Sequence, residues 1–550
     1  MVDSECLLSF DLGTRRIWMF PRNIRQIWPW KLYQTMNVLM QFNGKENIRD
    51  KDIQQHMYEL LEGLGVKGKG DTRDANPGGM RTYFAQLACL GLVYTKKDHS
   101  YGLTLAGQQL IDGKNPVKVV QYSLFRHQYP SAYGSRIKMD PRMRVKPFLF
   151  LLKLLHDPEI QGYLTNKDVM IPVVYGHTDA CYNFCKQKIL ELRAKPAESG
   201  MDDVLSILDN PVADLYTPRG ASDLPHQLGN VKDIANTALN YLVSSYLIIE
   251  NDEKVRGQKS YAFNPEYEDL YQLFQQERGK YVPCLAKKEE AFQRSYGRYD
   301  KYKDGRNDDE KRSVSRGEDT IIKVKFVDFM YQHPFEEFEG ALVSDFVSSL
   351  GKLGVRSNTD VLSVVAPLLE EKSSLDESKY LEYSISGVRY CNEFEQATTA
   401  LLKSMGFDTS EWIGRRQAKQ TWRGNFPDIL IREGTDLQIG FADTKASNSY
   451  MLGHDDMLKC RETYAHTNNE LVPGSSIKYF LYIAGGFKGN INASIKQLSE
   501  ATGFPVTAMT ARAMLALRKK KEQEHLPTKF IEKTIFRSGT MWNATGLQQI

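Results

Sequence analysis

The sequence predicts a multidomain α+β protein, in which mainly helical modules precede an α/β domain with a central mixed sheet. The chain has 550 residues, which is too long for a single hydrophobic core. Residues 32–63 and 81–111 show helical apolar spacing that gives way to short apolar runs separated by a polar turn. Residues 380–550 follow the order helix, strand, strand, helix, strand, helix.

The first module is predicted within residues 1–125. The segment DIQQHMYELLEGLG places Ile53, Met57 and Leu61 at helical spacing. The segment RTYFAQLACLGLVYTKKDHSYGLTL then indicates a helix that ends near Gly91, a strand LVYT, a polar turn and a returning strand GLTL. A helix followed by a β-hairpin is the layout of a winged helix-turn-helix module. Such modules bind DNA in many proteins and contact other proteins in others.

A helical region and a second module of the same layout are predicted within residues 126–265. NVKDIANTALNYLVSSYLIIEND indicates a helix that runs into a strand, and KSYAFNP indicates the returning strand. Residues 266–379 are predicted to be a linker with a small helical insert at 336–370. The linker, 266–320, is dense in charge and tyrosine and poor in aliphatic residues. Residues 380–550 form the predicted C-terminal domain.

The charge of the chain is unevenly distributed. Its net charge is only +4, but residues 101–150 hold eight Lys or Arg and two acidic residues. This basic stretch suits a polyanion partner, or else forms a solvated basic face. Arginine pairs well with guanine and also contacts phosphate, so we predict DNA contacts in the loop before the first hairpin and in the basic stretch. The candidates are Arg73, Arg81, Arg136, Arg142 and Arg144.

Several classes of protein are not expected. No window of about 20 residues is free of charge, so a membrane span is not predicted. No GxxxxGK[ST] loop occurs, so no nucleotide cofactor is predicted. The seven cysteines show no disulfide framework, and the N-terminal residues lack the features of a secretory signal. These observations predict a cytoplasmic location.

Charged residues converge in the stretch FPDILIREGTDLQIGFADTKAS, residues 426–447. DILI and LQIGFADTK predict a β-hairpin with EGTD as its turn. Asp428 begins the first strand. In the second strand, alternation places Asp443 and Lys445 on one face and Thr444 on the other.

The helix CNEFEQATTALLKSMGF, which precedes the hairpin, adds a carboxylate at Glu395, with Glu393 as a rival two residues away. Neighbouring carboxylates repel each other, and a bound cation removes the repulsion. Mg²⁺ prefers carboxylate and carbonyl oxygens together with water, and an adjacent lysine can orient a metal-bound water. The set therefore indicates a phosphodiester hydrolysis site. The alternative is a pair of strand-end acids that form salt bridges with a lysine.

The residues Pro427-Asp428 and Asp443-Thr444-Lys445, preceded by a helix with Glu395, resemble the PD-(D/E)xK nuclease fold. FADTKAS, HDDMLKC and the run FKGN are more specifically similar to the cleavage domain of FokI-type restriction endonucleases, over about residues 395–517. Upstream, RTYFAQLACLGLVY and LFRHQYPSAYG resemble the recognition region of AlwI-type enzymes and related nicking endonucleases.

This resemblance implies a type IIS restriction endonuclease of a bacterial restriction–modification system. Such an enzyme cuts double-stranded DNA at a fixed distance to one side of an asymmetric site and leaves 5′-phosphates. It implies Mg²⁺ as the cofactor, with Mn²⁺ as a substitute. Asp428 and Asp443 match the metal ligands, the Thr444 backbone carbonyl would be a third ligand, Lys445 matches the catalytic lysine, and Glu395 matches a further acid of the catalytic set.

Pairing between nuclease domains is a further implication. HDDMLKC is similar to the helix through which FokI-type domains dimerise, which implies an ion pair between Asp455 and Lys459 of two copies. Lysine stands here where arginine is expected, and Asp456 is a rival for the acid. Lys488, in FKGN, is a candidate contact for DNA phosphate, or else a solvated loop lysine.

Three alternatives stay open. The chain has one candidate nuclease centre, whereas a DNA duplex has two strands to cut. The second cut therefore requires a transient homodimer or a small nuclease partner subunit. If neither forms, the protein is a strand-specific nicking endonuclease. The alternative of another class is a winged-helix DNA-binding regulator with an inactive nuclease domain.

Overall fold

The computed structural model describes residues 17–298 and 377–547 with gaps, and single positions and short runs between 322 and 365. The gaps are 22–23, 25, 44–47, 68–78, 97–98, 114, 132–141, 197–200, 209–223, 252–253, 277, 285–288, 408–410, 414–425 and 433–435. The chain divides into two compact units, Met1–Ser378 and Lys379–Ile550. Among the described residues, no helix combines the length and the apolar composition that crossing a membrane requires.

The first unit is mainly helical. Its helices are α1 (Pro29–Phe42), α2 (Lys51–Gly63), α3 (Gly79–Cys89), α4 (Leu105–Ile111), α5 (Pro116–Arg126), α6 (Pro147–Leu155), α7 (Asn166–Tyr175), α8 (Tyr182–Ala194), α9 (Asp202–Leu208), α10 (Leu224–Ser244), α11 (Glu268–Gln275), α12 (Glu289–Tyr296) and α13 (Ala341–Ser349). Its strands are β1 (Val93–Thr95), β2 (Tyr101–Leu103), β3 (Tyr163–Thr165), β4 (Ile248–Glu250) and β5 (Ser260–Phe263).

Three helices and a β-hairpin open this unit. Helix α2 begins after Asp50, whose carboxylate accepts hydrogen bonds from the amides of Asp52 and Ile53. Strands β1 and β2 pair antiparallel, with Val93 opposite Leu103. The helix-plus-hairpin order is therefore present where the sequence predicts the first module.

A three-stranded antiparallel sheet, in the order β3-β5-β4, lies in the second half of the unit. Helix α7 starts directly after β3 with a capping box formed by Thr165 and Asp168. Arg193 of α8 donates to the Asp168 carboxylate at 2.9 Å and to the carbonyl oxygens of Ile160 and Tyr163. These bonds join α8 to β3, which lies at the edge of the sheet, and to the segments that precede and follow it. The long helix α10 leads into the β4–β5 hairpin, which is the order predicted for the second module.

The segment 265–298 packs within the first unit, although the sequence predicts that the linker starts there. Phe274 of α11 stacks on Phe125 with ring centroids 4.5 Å apart. The Tyr296 hydroxyl of α12 donates to the Cys89 carbonyl oxygen at 3.0 Å. The reason is that most of the aromatic side chains in this charged segment are buried, and their burial fixes the segment in place.

Glycines allow the closest of these contacts. A Cβ atom on Gly297 would lie 2.0 Å from the Gly91 carbonyl oxygen and 2.6 Å from the Thr104 side chain. The Gly297 carbonyl also accepts a hydrogen bond from the Ala106 amide at 2.9 Å. Only glycine fits this position, and the end of α12 therefore packs directly against the residues that flank the β1–β2 hairpin.

The second unit is an α/β domain. Its helices are α14 (Cys391–Ser404), α15 (His454–Leu458), α16 (Asn468–Leu471), α17 (Ile491–Thr502), α18 (Ala511–Glu524), α19 (Thr528–Ile531) and α20 (Ala544–Leu547). Its strands are β6 (Glu411–Trp412), β7 (Ile429–Ile431), β8 (Gln438–Thr444), β9 (Ser476–Ala484), β10 (Val506–Thr510) and β11 (Met541–Trp542).

These strands form a six-stranded sheet in the order β11-β10-β9-β8-β7-β6. The pairs β8–β9, β9–β10 and β10–β11 are parallel, whereas the pairs β6–β7 and β7–β8 are antiparallel. The central mixed sheet that the sequence predicts is confirmed. One face packs on α17 through alternate strand residues, including Phe441, Tyr482 and Ala508 with Ile495 of the helix. Asp443 lies two residues beyond Phe441 and so continues this face at the end of β8.

Candidate active site

The register of β7 and β8 brings two carboxyl groups together. Ile429 pairs with Ala442, and one step further along the ladder places Asp428 opposite Asp443. Asp428 accepts hydrogen bonds from the Thr444 amide at 2.7 Å and the Thr444 hydroxyl at 3.1 Å. Asp443 is 3% exposed. The hairpin thus holds both acids at one end of the sheet, where the sequence predicts them.

Lys445 completes this group. Its Nζ atom lies 2.8 Å from Asp443 Oδ2, and its backbone amide donates to the Ile483 carbonyl oxygen at 2.8 Å. The distance between Nζ and Oδ2 is that of a charge-assisted hydrogen bond. The backbone hydrogen bond to Ile483 extends the parallel pairing with β9 beyond the end of β8. Lys445 therefore sits on the same face as Asp443, as the alternation predicts.

Glu395 reaches the site from helix α14. Its Oε2 atom accepts a hydrogen bond from the Trp412 indole at 2.7 Å, and its charge acts on Asp428. Glu393 is exposed on the first turn of the same helix. The structure therefore brings Glu395, and not Glu393, to the two aspartates. Trp412, on β6, is a site residue that the sequence analysis did not identify.

The electrostatics of the site reflect its crowded carboxyl groups. Burial raises the pKa of Asp428 well above its usual value, and the charges of Asp443 and Glu395 raise it further. Burial lowers the pKa of Lys445, but the charge of Asp443 outweighs it, so that pKa is raised. The site therefore carries more negative charge than one lysine neutralises.

The residues present fit a Mg²⁺ ion. Among the residues that the structure describes, no set of three or more His, Cys, Asp or Glu side chains is arranged to hold a metal alone. Mg²⁺, however, is usually bound through one or two carboxylates and keeps several waters. The carboxylates of Asp428 and Asp443 and the carbonyl oxygen of Thr444 match that chemistry. Burial is the largest cause of the raised pKa of Asp428, but the charges of Asp443 and Glu395 raise it further, and a cation would offset that repulsion.

Divalent cations are expected to stabilise the protein in a pH-dependent way. Because the pKa of Asp428 is raised on folding, its contribution to stability is present at low pH and is lost as the pH rises and the group ionises. A bound cation replaces that proton. We expect millimolar Ca²⁺ to raise the melting temperature by about 3–5 °C at pH 8 and by much less at pH 5. An equal shift in Asp443→Ala, measured by thermal denaturation, would place the cation elsewhere.

The run GGFKGN has a structural role beside this site. The Gly486 amide donates to the Ser447 carbonyl, the Gly486 carbonyl accepts from the Tyr450 amide at 2.9 Å, and the Lys488 amide donates to the Tyr450 carbonyl at 3.0 Å. A Cβ atom on Gly486 would lie 2.2 Å from the Asn448 carbonyl oxygen. The run therefore fixes the loop that follows Lys445, and the Lys488 side chain is half-buried.

The predicted DNA contacts lie in different settings. Arg73 and Arg136 are outside the described residues. Arg81 is exposed on α3 and lines a cavity of about 600 Å³. Arg142 and Arg144 are both exposed, and the Arg144 guanidinium lies 4.9 Å from the centroid of the Tyr281 ring.

Both residues of the predicted dimer contact are also exposed. Asp455 lies on α15, and Lys459 begins the π-helical turn Lys459–Thr463 that continues this helix. Asp456, the rival acid, is instead partly buried and turned towards Lys445, with 3.9 Å between its Oδ1 atom and the lysine Nζ. The structure thus distinguishes the exposed Asp455 from the partly buried Asp456, a distinction that the sequence does not provide. The pairing of two copies stays a prediction.

Comparison with known proteins locates the relationship in the second part of the chain. Residues 356–541 match the family model of the FokI cleavage domain. This part of the chain is similar to the FokI cleavage domain. The resemblance drawn from FADTKAS, HDDMLKC and FKGN is confirmed, and the FokI match is longer than predicted, because it begins before α14 and ends in β11. The resemblance to AlwI-type recognition regions stays a prediction.

Solved structures also match the chain. One is titled restriction endonuclease FokI, with 13% identity, and another FokI bound to DNA, with 12% identity. Each comparison covers 93% of this chain and 97% of the FokI chain, with a TM-score of 0.26. Such a score does not establish a common arrangement of the whole chains. Among curated proteins, no significant match is found.

Proposed function

We propose that the chain is a type IIS restriction endonuclease that hydrolyses double-stranded DNA to one side of an asymmetric site and leaves 5′-phosphates. The observation that carries the proposal is the cluster of Asp428, Asp443 and Lys445 at one end of a mixed sheet, within a region that matches the FokI cleavage domain. Two acids and a lysine on one face supply the groups that metal-assisted phosphodiester hydrolysis requires.

The first unit is proposed to recognise DNA. Its two helix-plus-hairpin arrangements are consistent with winged-helix modules, which place a helix in the major groove. Two such modules cover more of a duplex than one does, and a longer site gives the specificity that a restriction enzyme needs. The excess of positive charge in residues 101–150 supports contact with the phosphate backbone.

The second unit is proposed to cut. Asp428, Asp443 and the carbonyl oxygen of Thr444 would hold Mg²⁺, which when bound polarises the scissile phosphate and activates water. Lys445 lies beside Asp443, where its ammonium group can orient the attacking water and stabilise negative charge on the phosphate oxygens. Glu395, held by Trp412, adds a carboxylate that can accept a proton or orient a water at the edge of the site.

A plasmid assay tests this proposal. The purified protein is incubated with supercoiled plasmid in Mg²⁺, in Mn²⁺, and in EDTA as the control. Linear product that depends on the metal is expected for an enzyme that cuts both strands. A nicked circle as the final product would identify a strand-specific nicking enzyme or a missing partner subunit. Uncut plasmid under all conditions, with specific DNA binding retained, would identify a DNA-binding regulator and contradict the proposal.

The dependence on enzyme concentration then separates the two ways of making the second cut. If two copies pair transiently through the exposed surface of Asp455 and Lys459, the second cut accelerates more steeply with concentration than the first. If a small partner subunit supplies that cut, raising the concentration of this chain alone leaves nicked circles. The ratio of the two rates therefore tests whether a second copy of this chain makes the second cut.

Neutralising Arg142 and Arg144 together is expected to weaken DNA binding on any sequence. Both side chains are exposed in the most basic stretch of the chain. Each phosphate contact that is lost should reduce the slope of log affinity against log salt by about one. The measurement is a salt titration of binding to specific and to random duplexes. The double arginine-to-lysine variant, which keeps the charge, is the matched control, and an unchanged slope in the neutral variant would place these residues away from DNA.

A further inference from the structure

Asp456 approaches Lys445 from a different element than the two aspartates do. It lies in the first turn of α15, and the Lys445 Nζ atom is 3.9 Å from its Oδ1 atom. The same ammonium is 2.8 Å from Asp443 Oδ2. A distance of 3.9 Å is too long for a hydrogen bond but allows a strong charge interaction in a partly buried site. The Lys445 ammonium therefore contacts the Asp443 carboxylate and lies about 1 Å farther from the Asp456 carboxylate.

The side chain of Asp456 is held in place by contacts that leave this interaction intact. Its Oδ2 atom accepts a hydrogen bond from the Gly453 amide at 3.2 Å, which caps the helix. The Tyr450 hydroxyl also bonds to this carboxylate, and burial together with that bond raises the pKa of Tyr450. Tyr450 itself is fixed by its backbone bonds to Gly486 and Lys488. The loop after Lys445 thus carries the residue that orients the second acid.

We propose that Asp456, oriented by Tyr450, is a positioning residue that provides a second anionic partner for the Lys445 ammonium. This inference rests on the proposed function. A cation held by Asp443 would repel the ammonium that now contacts the same carboxylate, and this repulsion would favour a small shift of the Lys445 side chain away from Asp443. A shift of about 1 Å would bring the Lys445 ammonium into contact with the Asp456 carboxylate. Asp456 keeps the ammonium close to the scissile phosphate, instead of releasing it to solvent.

The kinetic test compares variants of this chain under single-turnover conditions. Asp456→Asn keeps an acceptor for the Gly453 amide and removes the charge. We expect it to lower the cleavage rate by about tenfold, with the DNA dissociation constant in Ca²⁺ unchanged within about twofold. Asp456→Glu, which restores the charge, should recover part of the rate. Glu500→Gln, an exposed position on α17, is the control and should cut like the wild type.

Tyr450→Phe tests whether the tyrosine acts through Asp456. It should slow cleavage less than Asp456→Asn does, and the double variant should be no slower than Asp456→Asn alone, because residues that act as one unit are not additive. Independent, multiplicative losses would overturn the role given to Tyr450. A wild-type rate in Asp456→Asn, or a loss confined to DNA affinity, would overturn the proposal as a whole.

A second measurement needs neither metal nor DNA. In metal-free protein, Asp456→Asn should lower the melting temperature by roughly 2–4 °C while Lys445 is present. In a Lys445→Met background the same change should have no effect or raise the melting temperature, because the charge of Asp456 then has no partner at position 445, whereas asparagine can still accept from the Gly453 amide. Absence of this coupling overturns the inference whether or not the protein cuts DNA. Coupling without any cleavage by the wild type would instead reject the proposed function and leave the Asp456–Lys445 interaction standing.

Discussion

Asp428→Ala, Asp443→Ala and Lys445→Ala are each expected to abolish DNA cleavage while specific binding persists. Each removes either a proposed metal ligand or the ammonium that lies 2.8 Å from Asp443. Loss of several kcal/mol of transition-state stabilisation corresponds to a fall in rate of about 10³-fold or more. The measurements are a single-turnover cleavage assay in Mg²⁺ and a gel shift in Ca²⁺ on the same DNA.

The two measurements together decide what a loss of activity means. All three residues lie in the second unit, at one hairpin, whereas recognition is assigned to the first unit. Lost binding alongside lost cleavage would therefore indicate misfolding or a shared site. Cleavage at the wild-type rate by Asp443→Ala would contradict the site assignment, because this carboxylate is the one that lies both opposite Asp428 and against Lys445.

Glu395→Gln is expected to reduce cleavage by about 10²-fold, and Glu393→Gln is the matched control. The two glutamates lie two residues apart on helix α14, but only Glu395 contacts Trp412 and acts electrostatically on Asp428. Glutamine can still accept the indole hydrogen bond, so the substitution tests the charge and not the packing. Equal cleavage rates in the two variants would show that Glu395 only holds β6 in place. A loss of cleavage in Glu393→Gln alone would show that Glu393, and not Glu395, is the third acid of the site.

Most of the candidate site follows from local patterns in the sequence. The apolar runs on both sides of EGTD predict the hairpin, and the two-residue period of a strand then predicts that Asp443 and Lys445 share a face. The sequence of α14 offers Glu395 as the third acid, with Glu393 two residues away as its rival, and the packing of the helix chooses between them. These inferences succeed because each depends on residues that are close in the chain.

What the sequence did not reveal depends on contacts between distant segments. Trp412 reaches Glu395 across the loop between α14 and β6, and Asp456 reaches Lys445 only because GGFKGN fixes the intervening loop. In the first unit, α12 looks like part of a charged linker, yet Tyr296 is buried against Cys89. No periodicity signals such contacts, because the residues concerned are single side chains in otherwise polar segments.

The separation of recognition from cleavage is the central claim, and the positions of the cut ends test it most directly. A DNA library is digested in Mg²⁺, and both strands of the products are sequenced to their ends. We predict that all fragments share one asymmetric sequence and end at a fixed distance to one side of it, with 5′-phosphates. Ends that fall inside a palindromic sequence, or at no common distance from any sequence, would contradict a protein in which one unit reads DNA and the other cuts it.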